Sequence, residues 1–319
     1  MSVFEPFEDF GDVEEFAERL RDADASVRRL AVIDIAETAS ASGVRYLAEA
    51  VGDDDPGVRL QAAQALGEFD GYAVAEALTR GLVDTDPEVA DAAANSLAEL
   101  RDPECGVALL PLVSHRSDTV RAAIFRALKA LRLPSALGPA IEALGDADPE
   151  VRLQAVGVIG YLKLPETLPS LIHAAQDSAA EVRTAAINAL AFVRNGAAAK
   201  AASDALRDPD WQVRLAAAET LGRVGDNTDY GALVGALADD FWQVRQKALQ
   251  SLGKLRAREA VMAIIPLLDD AMASLRKEAA AALGEIADGR ARQALQERVT
   301  DTDPDVRKTA LWALAQLGD

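Results

Sequence analysis

Residues 146–177 read DADPEVRLQAVGVIGYLKLPETLPSLIHAAQD. Asp148-Pro149 marks a helix start. The aspartate can accept hydrogen bonds from the free amides of the first turn, and proline suits that turn because its missing N–H is not needed there. Apolar residues then recur at helical spacing from Val151 through Ala155 to Ile159. Such one-sided stripes are the mark of an amphipathic helix. A second helical pattern follows before the next aspartate, so the stretch predicts two short helices.

The Val-Arg pair at 151–152 recurs throughout. The valine position falls at Val27, Val58, Val89, Val120, Val151, Val182, Val213, Val244, Leu275 and Val306, at intervals of 31 residues without slippage. Below, these positions are the anchors. Ten units fill residues 12–319 after a segment 1–11, which predicts one repeat domain over 1–319. First-helix stripes are Leu137, Ala140, Ile141 and Leu144, or Val261, Ile264, Ile265 and Leu268; a second-helix stripe is Val213, Ala217, Ala218 and Leu221, with Val224 beyond. Asp-Pro starts the second helix again at 55–56, 86–87 and 303–304. Gly67, Gly160, Gly222, Gly253 and Gly284 share one late position, where a missing side chain lets a neighbouring backbone approach. One helix pair cannot bury its stripes alone, but stacked pairs bury a continuous core. At about 8–10 Å between packed helices, ten units predict a rod or arc roughly 80–100 Å long.

The unit resembles a HEAT repeat, of the short variety found in phycobilisome-lyase-like proteins and archaeal relatives. The resemblance covers nearly the whole chain and implies an all-α, right-handed α-solenoid whose second helices line a concave binding face. It also implies a ladder of bonds between neighbouring repeats. Asp stands five residues before nine anchors, including Asp53, Asp146, Asp208 and Asp239, and Arg one residue after nine, including Arg59, Arg152, Arg214 and Arg245. The exceptions are His115 and Ala90. If the arginine of one repeat meets the aspartate of the next, both gaps fall on one rung. Losing both partners together makes sense, because an unpaired, partly buried charge costs more than an absent pair. A looser joint between repeats three and four is expected.

Half of the residues are hydrophobic and 5% are aromatic, a composition of close-packed helices. Net charge is −19, with seven lysines and 26 arginines against 52 acids. That Lys-poor, Asp-rich balance resembles proteins of salt-loving microbes, including archaea. Such charge makes the compact state self-repelling, so low salt is expected to loosen it. No basic stripe or tail is visible, which argues against nucleic acid. The N-terminus has no basic n-region followed by an apolar stretch, and no run reaches the roughly 18 apolar residues of a membrane span. Cys105 is the single cysteine, which excludes an internal disulfide and fits a reducing cytoplasm.

Chemistry is sparse. His115 and His173 are the two histidines, neither followed by Glu, and they lie nearly two repeats apart. HEAT-like di-iron hydroxylases use His-Glu pairs, so no metal and no cofactor are expected. Cys105 has no histidine nearby in sequence. No phosphate loop or catalytic triad stands out.

A binding surface is better marked. Positions two and one before the anchor, and two, three and six after it, vary freely between repeats, so packing does not dictate them. By the family geometry they line the concave face. Trp211, Trp242 and Trp312 all fall in this set in repeats seven to ten, with Leu215, Lys247, Lys277, Lys308, Gln212, Gln243, Gln246 and Gln250. The three lysines there are balanced by Glu219, Glu278 and Asp305, giving a neutral strip on an acidic protein. Tryptophan is over-represented in binding hot spots. The alternative is structural: Trp211 or Trp242 packs on the next repeat's loop, and Trp312 covers the last repeat. Phe4, Phe7 and Phe10, before an Asp12 cap with Glu15, are expected to cover the first repeat. The expected function is a non-enzymatic scaffold or adaptor for a protein or peptide. The chain is expected to be a monomer or to associate weakly end to end. The rival reading is a phycobilin-lyase-like protein handling a tetrapyrrole or other small molecule.

Overall fold

The computed structural model describes residues 13–193, 195–226 and 230–318. Phe4, Phe7, Phe10 and Asp12 lie outside the described residues. Among the described residues there are twenty α-helices and no strand, arranged as ten pairs, one per 31-residue period. In repeat eight the pair is Tyr230–Ala236 and Trp242–Lys254. The chain divides into two compact units, Met1–Leu162 and Lys163–Asp319, and five helix pairs belong to each.

The second helices carry the core. Val58, Val89, Val213, Val244, Leu275 and Val306 are completely buried at the anchor, as are Ala217, Leu221, Ala248 and Leu252 further along. Their starts follow the capping chemistry. Asp303 accepts from the amides of Asp305 and Val306 at 2.8 and 3.1 Å, and Asp210 accepts from Gln212 at 2.7 Å. Such a cap is worth about 1 kcal/mol. The helix ends are also periodic. Ala39, Arg132, Lys163, Arg256 and Ala287 all have positive φ and all stand twelve residues after an anchor.

The first helices match the expected stripes in part: Val261, Ile264 and Leu268 are buried in repeat nine and Ala140 in repeat five. Ile141 is exposed, and Leu137 and Leu144 are half-buried, while Ala136 and Ala140 face the core. In repeat five the buried residues of this segment are thus the small ones. Pro266 also interrupts repeat nine. Val261–Ile264 is α-helical and Ile265–Asp269 continues as a 3-10 turn, because proline offers no N–H to the preceding turn and its ring clashes there. Pro111 does the same after Gly106–Leu109.

Consecutive second helices within a unit approach closely at the shared glycine. A Cβ on Gly222 would sit 2.3 Å from Ser251 Oγ and 3.0 Å from its Cα; one on Gly284 would sit 2.8 Å from Ala313 Cα. The approach is sealed by buried hydroxyls that donate across to the preceding repeat. Ser96 bonds the Ala63 carbonyl at 2.8 Å, Thr220 that of Ile187 at 3.0 Å, and Ser251 that of Ala218 at 2.7 Å. Each hydroxyl thereby gains the partner that burial requires.

Candidate functional site

The arginine after the anchor links neighbouring repeats. Its Nε and Nη2 grip both oxygens of the aspartate 25 residues on. The distances are 2.7 and 2.9 Å for Arg59–Asp84, 2.7 and 2.8 Å for Arg121–Asp146 and for Arg183–Asp208, and 2.6 and 3.0 Å for Arg214–Asp239. Arg28–Asp53 and Arg276–Asp301 pair in the same way. Nη1 of each arginine turns back to the loop of its own repeat, as when Arg152 donates to the Asp146 carbonyl at 2.9 Å. The aspartate meanwhile accepts the amide two residues on, as Asp53 does from Asp55 at 2.9 Å. One charged pair therefore fixes two loops and one interface.

Bidentate pairing favours the ionised carboxylate. The Arg276 bonds hold Asp301 down at about 2. Asp53, Asp84 and Asp146 are lowered chiefly by their arginine partners. At Asp208 and Asp239 burial opposes ionisation, and the arginine and backbone bonds outweigh it.

Among the rungs whose bonds are described, two depart from the pattern. His115 keeps half of the aspartate's work: its Nδ1 accepts the Ser117 amide at 3.2 Å, and its carbonyl accepts from Arg121 at 2.8 Å. It has no arginine opposite, since Ala90 stands there. Further along the second helix of repeat four, Arg126 bonds back to the Ala94 carbonyl at 2.9 Å and Asn95 Oδ1 at 2.8 Å. The second departure is Arg245–Asp270, whose closest approach is 3.8 Å against 2.6 Å for Arg214–Asp239 and 2.8 Å for Arg276–Asp301.

The tryptophans are not equivalent. Trp211 stacks on Phe241 of the next repeat, ring centroids 5.2 Å apart and planes 7° from parallel. Arg214 sits 5.8 Å over the same Phe241 ring. Trp242 and Trp312 stand 38% and 44% exposed. Trp312 rests against Gly284 and shares a hollow of about 280 Å3 with Lys277, Asp305, Lys308 and Thr309.

The polar residues between them are largely tied to one another. Lys247 meets Glu219 at 3.3 Å and Lys277 meets Asp305 at 3.7 Å. Gln246 and Gln250 both donate to Glu278, at 3.3 and 3.1 Å. Leu215 is half-buried and Gln212 exposed. Gln243 Oε1 is buried without a hydrogen-bond partner. Two groups result, one around Trp211 and Phe241 at the helix starts of repeats seven and eight, the other around Trp312 at the last repeat. Not all freely varying positions are open: Ala92, Ala123 and Ala216, three residues after their anchors, are buried.

Sequence reasoning missed Phe241 and Met272. They occupy the cap position that holds aspartate in repeats one, two, three, five, seven and ten, and neither makes a side-chain cap. The loss of the polar cap in two successive repeats was the available signal.

Cys105 is completely buried and donates to Asp70 Oδ1 at 3.3 Å. Burial, then the hydrogen bond to Asp70, push its thiol up to about 12. Among the described residues no three His, Cys, Asp or Glu side chains gather as a metal site, and no helix is long and apolar enough to cross a membrane. A cleft of about 610 Å3 opens between the first helices of repeats six and seven, lined by Ala175, Ala197, Ala201, Ala205, Lys200 and Arg207 among others.

The family model for HEAT repeats matches residues 13–98, 75–140, 137–204, 193–253 and 232–315. No curated protein matches the sequence. Among similar solved structures, an engineered protein is 23% identical, covering 97% of this chain and 99% of its own, with a TM-score of 0.56. The karyopherin Kap121p, bound to the extreme C-terminus of the protein phosphatase Cdc14p, is 14% identical over 96% of this chain and 41% of its own, with a TM-score of 0.59. The Kap95:Nup1 complex is matched at 15% identity over 96% of this chain and 49% of that one, also with a TM-score of 0.59. The chain thus spans less than half the length of these two, and identities this low show likeness of fold alone.

Proposed function

The chain belongs to the HEAT-repeat family, and on that premise we propose that it is a non-enzymatic scaffold or adaptor holding a protein or peptide against the second helices of its C-terminal repeats. The observation that carries this reading is the exposure of Trp242 and Trp312, at 38% and 44%, on helices whose core positions are fully buried. Large aromatic rings left open beside a self-neutralised polar surface suit a partner that buries area without facing net charge. The karyopherin neighbour caught with a phosphatase C-terminus supports the reading, because the same fold there receives a peptide.

The test is affinity capture from the source lysate at native salt, with mass spectrometry of the retained proteins. A Trp242→Ala, Trp312→Ala double variant runs beside the wild type. A protein retained by wild type and lost by the folded variant supports the assignment; equal capture by both removes the tryptophans from it.

The 610 Å3 cleft favours a second reading, a small-molecule carrier, since its volume falls in the ordinary range of ligand pockets. A pigment or other small molecule that copurifies with the protein and is released on unfolding would support that reading.

A further inference from the structure

Repeat four is the positive stretch of an acidic chain. Residues 115–145 hold Arg116, Arg121, Arg126, Lys129 and Arg132 against Asp118 and Glu142, a net +3. The period before it, 84–114, holds seven acids and one base, and no other full period exceeds +1. Arg121 belongs to the ladder. Arg126, Lys129 and Arg132 do not. They follow one another at three-residue spacing along and just beyond the helix Asp118–Leu131, over about 9 Å of its axis.

Their partners are neutral. Arg126 donates through Nη2 to the Ala94 carbonyl and Asn95 Oδ1, and its Nε is buried with no hydrogen-bond partner. Lys129 donates to Gln154 Oε1 at 3.2 Å. Its stem fills the gap left by Gly157, where a Cβ would sit 2.8 Å from Lys129 Cδ. Arg132 lies 5.6 Å from the ring centroid of Tyr161, which is 49% exposed. Among the described residues none of the three forms an ion pair. Arg59, Arg214 and Lys247, half-buried on other second helices, each meet a carboxylate. A half-buried cation held by neutral groups loses hydration without gaining a counter-charge. The nearby acids do not supply it. Asp91 and Glu99 stand one turn either side of Asn95, on the repeat-three side of Arg126. Glu150 is engaged by Gln154 Nε2 at 2.7 Å. Toward repeat five, Gln154, Gly157 and Tyr161 share one face of the helix Pro149–Leu162 and carry no charge. All of these residues lie within the unit Met1–Leu162.

We propose that Lys129, Arg132 and Tyr161, with Arg126 beside them, bind a small molecule carrying a diphosphate attached to a planar ring. The phosphates bridge Lys129 and Arg132, and the ring lies on the open face of Tyr161. Arginine and lysine both favour phosphate oxygens, and an exposed aromatic face favours stacking. A phosphate monoester brings about −1.5 to −2, too little for three cations. A diphosphate gathers more charge on two adjoining centres. A nucleic-acid backbone is tracked by many phosphate contacts, and three cations with no stripe continuing from them suit a small ligand instead. The site shares no residue with the tryptophan surface of repeats seven to ten or with the 610 Å3 cleft. It goes beyond the scaffold reading and does not depend on it.

The test is titration calorimetry of the full-length chain with ADP, pyrophosphate, AMP and citrate at one ionic strength. ADP should bind most tightly and pyrophosphate next, with AMP and citrate at least tenfold weaker than ADP. A Lys129→Gln, Arg132→Gln double variant should weaken ADP and pyrophosphate at least tenfold. Tyr161→Ala should weaken ADP several-fold and leave pyrophosphate unchanged. These side chains are exposed or half-buried, so melting temperatures should stay near wild type; if the double variant melts early, Arg132→Gln alone is read in its place. A Lys254→Gln, Arg256→Gln variant in repeat eight should bind as wild type does. No binding of ADP or pyrophosphate up to about 1 mM overturns the proposal. Citrate as tight as pyrophosphate overturns it too, by revealing an unselective cationic surface. Binding that survives loss of Lys129 and Arg132, or is lost with Lys254 and Arg256, overturns the location. ADP binding untouched by Tyr161→Ala overturns the ring contact.

Discussion

Arg276 grips Asp301 with two hydrogen bonds, 2.9 and 2.8 Å, across the interface between repeats nine and ten. The aspartate side chain is only 4% exposed. The same pair recurs at 25-residue spacing along both units, so a large share of the ionised, partly buried carboxylates sits at repeat interfaces.

This arrangement sets the acid limit. A carboxylate whose folded pKa is depressed contributes stability that is present above its unfolded pKa, about 3.9, and is lost as pH falls through the folded value. Asp301 is held at about 2, and Asp53, Asp84, Asp146, Asp208 and Asp239 are lowered with it. Protonating the surface acids relieves self-repulsion and acts the other way, but it orders no interface. The melting temperature at fixed ionic strength should therefore hold from pH 7 to about 5 and fall between about 4 and 2. A melting temperature that rises across that lower window contradicts the account.

The glycine contact predicts opposite effects for two similar substitutions. Gly222→Ala drives a methyl to 2.3 Å from Ser251 Oγ, and overpacking costs roughly 1–3 kcal/mol. Gly235→Ala meets nothing within 4 Å and gains up to about 1 kcal/mol of helix propensity. Thermal melts should show Gly222→Ala lowered and Gly235→Ala unchanged or raised.

Cys105, with its thiol pushed up to about 12, should be inert. The folded protein is expected to resist iodoacetamide at pH 8 for hours and to react within minutes once unfolded in guanidinium. Fast labelling of the folded form would place the thiol at the surface.

At the interface of repeats three and four the Arg–Asp rung is absent, because Ala90 and His115 stand at its two positions. Hydrogen exchange across residues 84–121 should be faster than across 53–90, where Arg59–Asp84 is intact. Equal protection in the two windows would remove the looser joint.

The period and the helix pairs were legible in the sequence because each is a packing requirement repeated ten times, and the close glycine approach because Gly recurs at one position in five repeats. The first-helix stripe was read less well. Val261, Ile264 and Leu268 of repeat nine are buried as the stripe predicts, whereas in repeat five Ala136 is buried and Ile141 exposed, and hydrophobicity alone cannot show where packing selects the smaller side chain. That Trp211 packs on the next repeat's loop was open from the sequence as the structural alternative, and the structure bears it out on Phe241; the partner ring itself was not legible, because periodicity compares equivalent positions and the stack joins different ones. Phe241 and Met272 stood in plain sight as failures of the cap rule, and the weak Arg245–Asp270 pair could come only from geometry.

The most direct test is hydrogen–deuterium exchange of the chain alone and in complex with its captured partner. The account predicts that protection rises in the second helices of repeats seven to ten, Trp211–Val224, Trp242–Lys254, Ala273–Ile286 and Pro304–Gln316, and stays unchanged in repeats one to five. Protection confined to repeats one to five, or to the first helices, would contradict it.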